Sequence, residues 1–258
     1  MSDSAPLARD SIVAQLGLHT TVDGQTARGE AEVVEELCIP GTDVLRTSVL
    51  ATWADVLTGA VAGIAIDPKI PLTADLEVHL RRPLSVGTHV VVDARPVKLG
   101  RTVLLVEAAV RDAATGEPVA VAIVSFIASP DPEHVWADGF PQLGHLGGRL
   151  PVALAERIGS RIVEPGTAEV PHRPDGLNAS GAIQGGLVAF GAEEAACSTR
   201  AEPSVVQSLV LRYLRPFSVG PAVAVAEPLG DDLLVVRMTD AGTGKPGALA
   251  TVRLASAR

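Results

Sequence analysis

Apolar residues recur at three- and four-residue spacing around Arg46: Leu45, Val49, Trp53, Val56, Leu57, Ala60, Val61 and Ile64 write one stripe. That spacing predicts a helix with one apolar side. Ser48, Thr52, Asp55 and Gly59 fall on its small, polar side. The period then changes. The runs LTADLEVHLRRPL, HVVVDARPV, TVLLVEAAVRD and PVAVAIVSFIAS are rich in β-branched residues and separated by Pro and Gly turns, which predicts four antiparallel strands. Upstream of the helix, LGLHTTVDG and RGEAEVVEELCI supply one or two more. A helix followed by such a sheet is an α+β unit whose sheet has to curl around the helix to cover its stripe.

The unit then repeats. LRRPLSVG, ending at Gly87, is echoed by YLRPFSVG, ending at Gly220, and RDAATGEPVAVAIVSFIAS is echoed by TDAGTGKPGALATVRLASA. A second helical pattern, QGGLVAFGAEEAACSTR from Gln184, stands at the matching distance upstream. Two copies of one helix-plus-sheet unit are therefore expected. The boundaries fall at residues 1–130 and 150–258, with residues 131–149, rich in Pro, Gly, Asp and His, as a linker without sustained periodicity. The second copy opens on PVALAERIG, a short helix or strand.

Composition narrows the classes of function. Of 258 residues, 47% are hydrophobic and only 3% aromatic, which describes a globular chain with an aliphatic core. The net charge of -9 repels a phosphate backbone, so nucleic acid is not an expected partner. The longest apolar stretches, Leu57 to Ile66 and Val119 to Ala128, fall short of the ~20 residues of a membrane span. The N-terminus has no export pattern, so a cytoplasmic location is expected. Cys38 and Cys197 lack metal-ligand spacing and read as free, buried small hydrophobes, and no metal is expected. GTGKPG near Lys245 lacks the full phosphate-loop pattern, and no nucleophile elbow or zinc-binding His pair is present. His79 reads as an ordinary strand residue.

The stretch NASGAIQGGLVAFGAEEAA from Asn178 resembles the signature of PaaI-like acyl-CoA thioesterases of the hotdog fold, N-x-x-G-x-x-H-G-G followed by an acid. Asn178, Gly181, Gly185, Gly186 and Glu193 fall on the pattern, with Gln184 at the frequent His position. The first copy keeps the acid as Asp55, but Pro40, Asp43 and Arg46 stand at the Asn, Gly and His positions, and Thr47 and Ser48 replace the glycine pair. The resemblance implies two fused hotdog units, each a long helix wrapped by a curved antiparallel sheet. It further implies active sites at their interface, each joining the helix tip of one unit to the acid of the other.

Carried across, that rule makes two unequal sites. One joins Asn178, Gln184 and Gly185 to Asp55, with Thr73 beside the acid. The other joins Pro40, Arg46 and Thr47 to Glu193, with apolar Val206 in the place of Thr73, and is degenerate. In the first site the Gly185 N–H is the expected oxyanion donor. Gln184 and Asn178 would orient the carbonyl or the attacking water, and Asp55 would be nucleophile or general base. Arg81, Arg82 and Arg215, with Arg101 and Arg212, are candidates to meet the phosphates of coenzyme A, which enters as part of the substrate rather than as a cofactor. The expected activity is hydrolysis of an acyl-CoA thioester to acid and CoA. The alternative is an acyl-CoA binding or sensing module without turnover, since Gln184 replaces His. A hotdog hydratase would want an Asp and His pair that is absent. The sequence leaves the oligomeric state open; the resemblance is compatible with a homodimer of the fused chain.

Overall fold

The computed structural model describes residues 11–140 and 146–257. Strands β1 (Leu16–Asp23) and β2 (Thr26–Glu32) precede helix α1 (Thr47–Ile66). Strands β3 (Pro71–Leu80), β4 (His89–Leu99), β5 (Leu104–Asp112) and β6 (Pro118–Ala128) follow it. After β7 (Leu146–Arg149) and the short helix α2 (Leu154–Ile158), the plan recurs. Strands β8 (Arg161–Glu164) and β9 (Thr167–Val170) precede helix α3 (Gly185–Cys197). It is followed by β10 (Ser204–Tyr213), β11 (Ala222–Pro228), β12 (Leu233–Asp240) and β13 (Lys245–Ser256).

All thirteen strands join one sheet in the order β7-β1-β2-β4-β5-β6-β3-β10-β13-β12-β11-β9-β8. Read outward from the central β3–β10 pair, the two sides run in the same order for six strands, and β7 adds a seventh to the first side. The repeat in the chain is thus a repeat in space. β3 and β10 pair antiparallel, with Leu211 opposite Leu76 and Arg212 opposite Asp75. On one face Asp75, Glu77 and Arg212 stitch this seam, Arg212 reaching Asp75 at 3.2 Å and Glu77 at 2.8 Å. On the other face Leu76, Val78, Leu209 and Leu211 are buried toward the helices.

The helix α1 departs from the expected single apolar side. Its polar positions Ser48, Thr52, Asp55 and Thr58 are as buried as its stripe, because α3 packs along them. The two helices touch closely: a Cβ on Gly186 would lie 2.1 Å from Thr52 Oγ1, so only glycine fits there. The buried hydroxyls are satisfied within the helix, Thr52 donating to the Ser48 carbonyl at 2.8 Å and Thr58 to that of Ala54 at 2.7 Å. Trp53, fully buried, donates its indole N–H to the Leu16 carbonyl at 3.1 Å.

Three further expectations change. At 20 residues and a mean hydropathy of 1.8, α1 meets the length and composition of a membrane span, which the shorter apolar stretches did not. Here most of it is buried inside the molecule as a core helix. The end of the expected linker is not irregular: Leu146–Arg149 pairs with β1 as an edge strand. Upstream, Phe140 packs on Gly63, so this segment is held against α1. Of the two cysteines, both free, Cys38 is buried and Cys197 only partly so.

Candidate active site

Two helix N-termini face each other's acidic residues across the seam between α1 and α3. At the start of α3, Gln184 is the N-cap, and its side-chain Oε1 accepts from the Gly186 N–H at 2.6 Å. This contact fixes which way the amide points. Its Nε2 therefore donates, and it does so to Asp55 Oδ2 at 3.2 Å. Thr73 Oγ1 donates to the other carboxylate oxygen, Oδ1, at 2.9 Å. Asp55 is held at both oxygens as an acceptor.

Thr73 reaches Asp55 because of a break in the alternation of β3. In a regular strand Thr73 would share a face with Asp75, Glu77 and His79, on the side away from the helices. The register with β6 shifts between Thr73 and Asp75, so Thr73 lies opposite the buried Phe126 and turns inward. The matching shift in β10, between Val206 and Ser208, recurs in the second copy.

Asp55 is 9% exposed and Gln184 8%, whereas Gly185, Thr73 and Tyr213 are half-buried and form the open side of the site. Burial pushes the Asp55 carboxyl up to about 6, with the Thr73 hydrogen bond pulling it back down. Among the described residues, nothing accepts the Gly185 N–H, the first of α3. A Cβ on Gly185 would lie 3.3 Å from Asp55 Oδ2 and 3.0 Å from the Tyr213 hydroxyl, so carboxylate and phenol converge over this glycine. Tyr213 donates to the Gly185 carbonyl at 2.8 Å. Burial, then the charge of Asp55, raises its pKa well above the ordinary value, which keeps the hydroxyl a donor. The sequence reading missed this residue. The signal was present: it is the only tyrosine in the chain and stands where the first copy has Leu80.

The other helix tip is closed. Glu193 Oε1 accepts from the Thr47 N–H at 2.8 Å, and Oε2 accepts from the Ser48 N–H at 3.3 Å and from the Ser48 hydroxyl. Glu193 is 0% exposed and Thr47 likewise, with Arg46 at 2%. Arg46 approaches Glu193 at 3.9 Å and Glu194 at 2.7 Å, and its guanidinium lies 4.9 Å over the Phe190 ring. The Thr47 hydroxyl donates to the Val206 carbonyl at 2.6 Å. Burial raises the Glu193 pKa, opposed first by the charge of Arg46. A cleft of about 290 Å³ lined by Cys38, Pro40, Thr42 and Arg46 lies over this closed tip.

The structure thus brings together Asp55, Thr73, Gln184 and Gly185. It does not give Asn178 the expected freedom to orient a carbonyl or a water through its amide oxygen. That oxygen accepts from the Ser180 N–H at 3.0 Å, the Ser180 hydroxyl at 2.7 Å and the Ala182 N–H at 3.2 Å, shaping the loop into α3. The oxygen of Gln184 is likewise committed to the helix, which leaves its N–H groups for other work. Of the arginines, Arg82 is paired to Asp112 at 2.7 Å and Arg212 to the acids of the outer seam, whereas Arg81 and Arg215 are exposed. Arg215 follows Tyr213 by two residues. Its counterpart in the repeat is Arg82, and the acid matching Asp112 is Asp240, which instead accepts the Val219 and Gly220 N–H groups at 3.1 and 2.9 Å. Among the described residues no cluster of His, Cys, Asp and Glu could hold a metal.

Residues 45–119, which carry α1 and the strands up to β6, match the family model of the thioesterase superfamily. This segment, under a third of the chain, is similar to thioesterase-superfamily domains. Over most of its length the chain shares the fold of hotdog thioesterases. It superposes on a 12:0-ACP thioesterase from Umbellularia californica with a TM-score of 0.66 at 12% identity, over 91% of this chain and 99% of that one. It superposes on an acyl-ACP thioesterase from Bacteroides thetaiotaomicron with a TM-score of 0.64 at 12% identity, over 90% and 98%. No curated protein matches the sequence.

Proposed function

We propose that the protein is an acyl-CoA thioesterase built of two fused hotdog units, with one working site per chain where Asp55 meets the tip of α3. The observation that carries the reading is the unpartnered Gly185 N–H beside a buried carboxylate from the other half of the chain, 3.3 Å from the point a side chain would occupy. The thioester carbonyl oxygen would lie on the Gly185 N–H, at the positive end of the helix dipole. Asp55 would act as general base, its pKa of about 6 being suited to accept a proton near neutrality. Water adds to the carbonyl carbon and its proton passes to Asp55. The tetrahedral oxyanion sits on Gly185, and its collapse breaks the carbon–sulfur bond and returns the proton to the departing CoA sulfur. Thr73 and Gln184 hold the carboxylate. The spare N–H of Gln184 is available to the water or the carbonyl. Arg215, exposed beside the site, is the arginine best suited to a CoA phosphate.

A panel of short, long and aryl acyl-CoAs, with the same acyl groups on a carrier protein, assayed for free thiol release, tests the reading. Turnover of CoA thioesters that Asp55→Asn abolishes is the expected result. Preference for the carrier-bound esters would move the substrate class. Tight binding of acyl-CoA without thiol release would favour a binding or sensing module.

A further inference from the structure

We propose that Tyr213 is the positioning residue for the oxyanion donor, an inference that rests on Gly185 serving as that donor. Glycine has the widest backbone freedom of any residue, and Gly185 opens its helix, where half the hydrogen bonds of the helix interior are missing. The peptide that carries its N–H, Gln184–Gly185, is held at the carbonyl by the Leu187 and Val188 N–H groups at 2.9 and 3.2 Å, so the direction of the N–H also depends on the φ and ψ of Gly185 and on the peptide that follows. The peptide joining Gly185 to Gly186 is pinned at both ends. Tyr213 donates to its carbonyl at 2.8 Å, and Gln184 accepts from its N–H at 2.6 Å. With the planes on both sides of Gly185 held, its φ and ψ are fixed and its N–H keeps one direction, into the open side of the site.

The companion site shows the pairing of tyrosine with a free N–H from the other side. There the position of Gly185 is taken by Thr47, whose N–H is held by Glu193 and whose hydroxyl is held by Val206. A tip so fixed needs no clamp, and the residue matching Tyr213 is Leu80. The hydroxyl therefore stands where a free donor has to be aimed and is missing where it does not. Tyr213 also lies on the inward side of β10, following the buried Leu209 and Leu211, so the strand delivers the ring to Gly185 without distortion.

The test is Tyr213→Phe, which keeps the ring, and Tyr213→Leu, which copies the other half. Loss of one neutral hydrogen bond to the donor peptide is expected to lower kcat about tenfold, with KM and Tm little changed and the pH profile unmoved. A second readout does not depend on turnover. A CoA ketone with a methylene between sulfur and carbonyl is bound, and its carbonyl stretch is followed by infrared difference spectroscopy. In the native protein the stretch should fall below its value in water, and in both variants it should move back. A lowered Tm with unchanged kcat and an unchanged stretch would make Tyr213 merely structural and overturn the proposal. Absence of thiol release by the native protein would instead count against the thioesterase reading, whereas the ketone stretch still reports on the clamp.

Discussion

At the start of α3 the first backbone N–H is open, the second is capped from within by Gln184, and the facing carboxylate of Asp55 stops short. At the start of α1 the facing carboxylate of Glu193 reaches both N–H groups and closes them. The two places share a helix, a bulged strand and an acid from the opposite half; the acid is one methylene longer at α1, where Arg46, Thr47 and Ser48 also replace Gln184, Gly185 and Gly186. The shorter side chain leaves a donor and a base facing a common space. The longer one caps a helix and buries a charge, with Arg46 at 3.9 Å lying over the Phe190 ring. The α1 tip is thus a structural joint between the halves, whereas the α3 tip leaves its first N–H open.

The comparison can be broken most severely by giving the open site the longer acid. Asp55→Glu should let the carboxylate cap the Gly185 N–H as Glu193 caps Thr47, and thiol release should fall by ~10²-fold or more although a carboxylate remains. Its helix-tip charge contact should raise stability by ~0.3–1 kcal/mol in denaturant unfolding. Gly185→Ala fills the space between Asp55 and Tyr213, with a Cβ at 3.3 and 3.0 Å from them. It is expected to remove most activity while leaving the fold, whereas Gly186→Ala, meeting Thr52 at 2.1 Å, should chiefly lower Tm.

Glu193→Gln should do the reverse of an Asp55 substitution. Turnover is expected to survive, and stability to fall by ~1–3 kcal/mol, because Arg46 loses a buried partner. Glu193→Ala should cost ~3–5 kcal/mol. Burial raises the folded pKa of both acids, but desolvation governs the effect of substitution at Asp55, which has no arginine partner. Its folded pKa of about 6 lies above the ordinary 3.8, so the folded protein binds the proton more tightly and loses stability as pH rises from about 4 to about 6. That shift corresponds to roughly 3 kcal/mol at pH 8. Asp55→Asn should therefore be inactive and more stable than the native protein at pH 8, by up to that amount, with the gain vanishing below pH 4. The smallest effect is the pH profile itself: kcat/KM should rise through about pH 6 and level off, and Gln184→Leu should displace that midpoint upward by removing a donor to the carboxylate.

Much of this contrast was legible in the chain. The repeat of LRRPLSVG as YLRPFSVG, the two helical patterns and the four runs after each located the halves, because strand and helix periods are local properties of side-chain order. The acids and the glycine pair could be aligned for the same reason. Three things could not be read that way. The inward turn of Thr73 depends on a bulge, and simple alternation puts it on the wrong face. The burial of Ser48, Thr52 and Asp55 depends on a second helix covering a polar side that composition alone marks as solvated. The edge strand at Leu146–Arg149 is held by backbone pairing, which leaves no trace in a Gly-rich segment. The role of Glu193 as a cap was hidden by its place in a catalytic pattern, and that of Tyr213 by the apolar Leu80 at the matching place in the first copy.

The most direct measurement is thiol release from the best acyl-CoA by the native protein, Asp55→Asn and Glu193→Gln side by side, each first shown to be folded. One working site per chain predicts that Asp55→Asn loses turnover by ~10²–10⁴-fold and that Glu193→Gln retains it. Equal losses in the two variants, or turnover that survives only in Asp55→Asn, would contradict it.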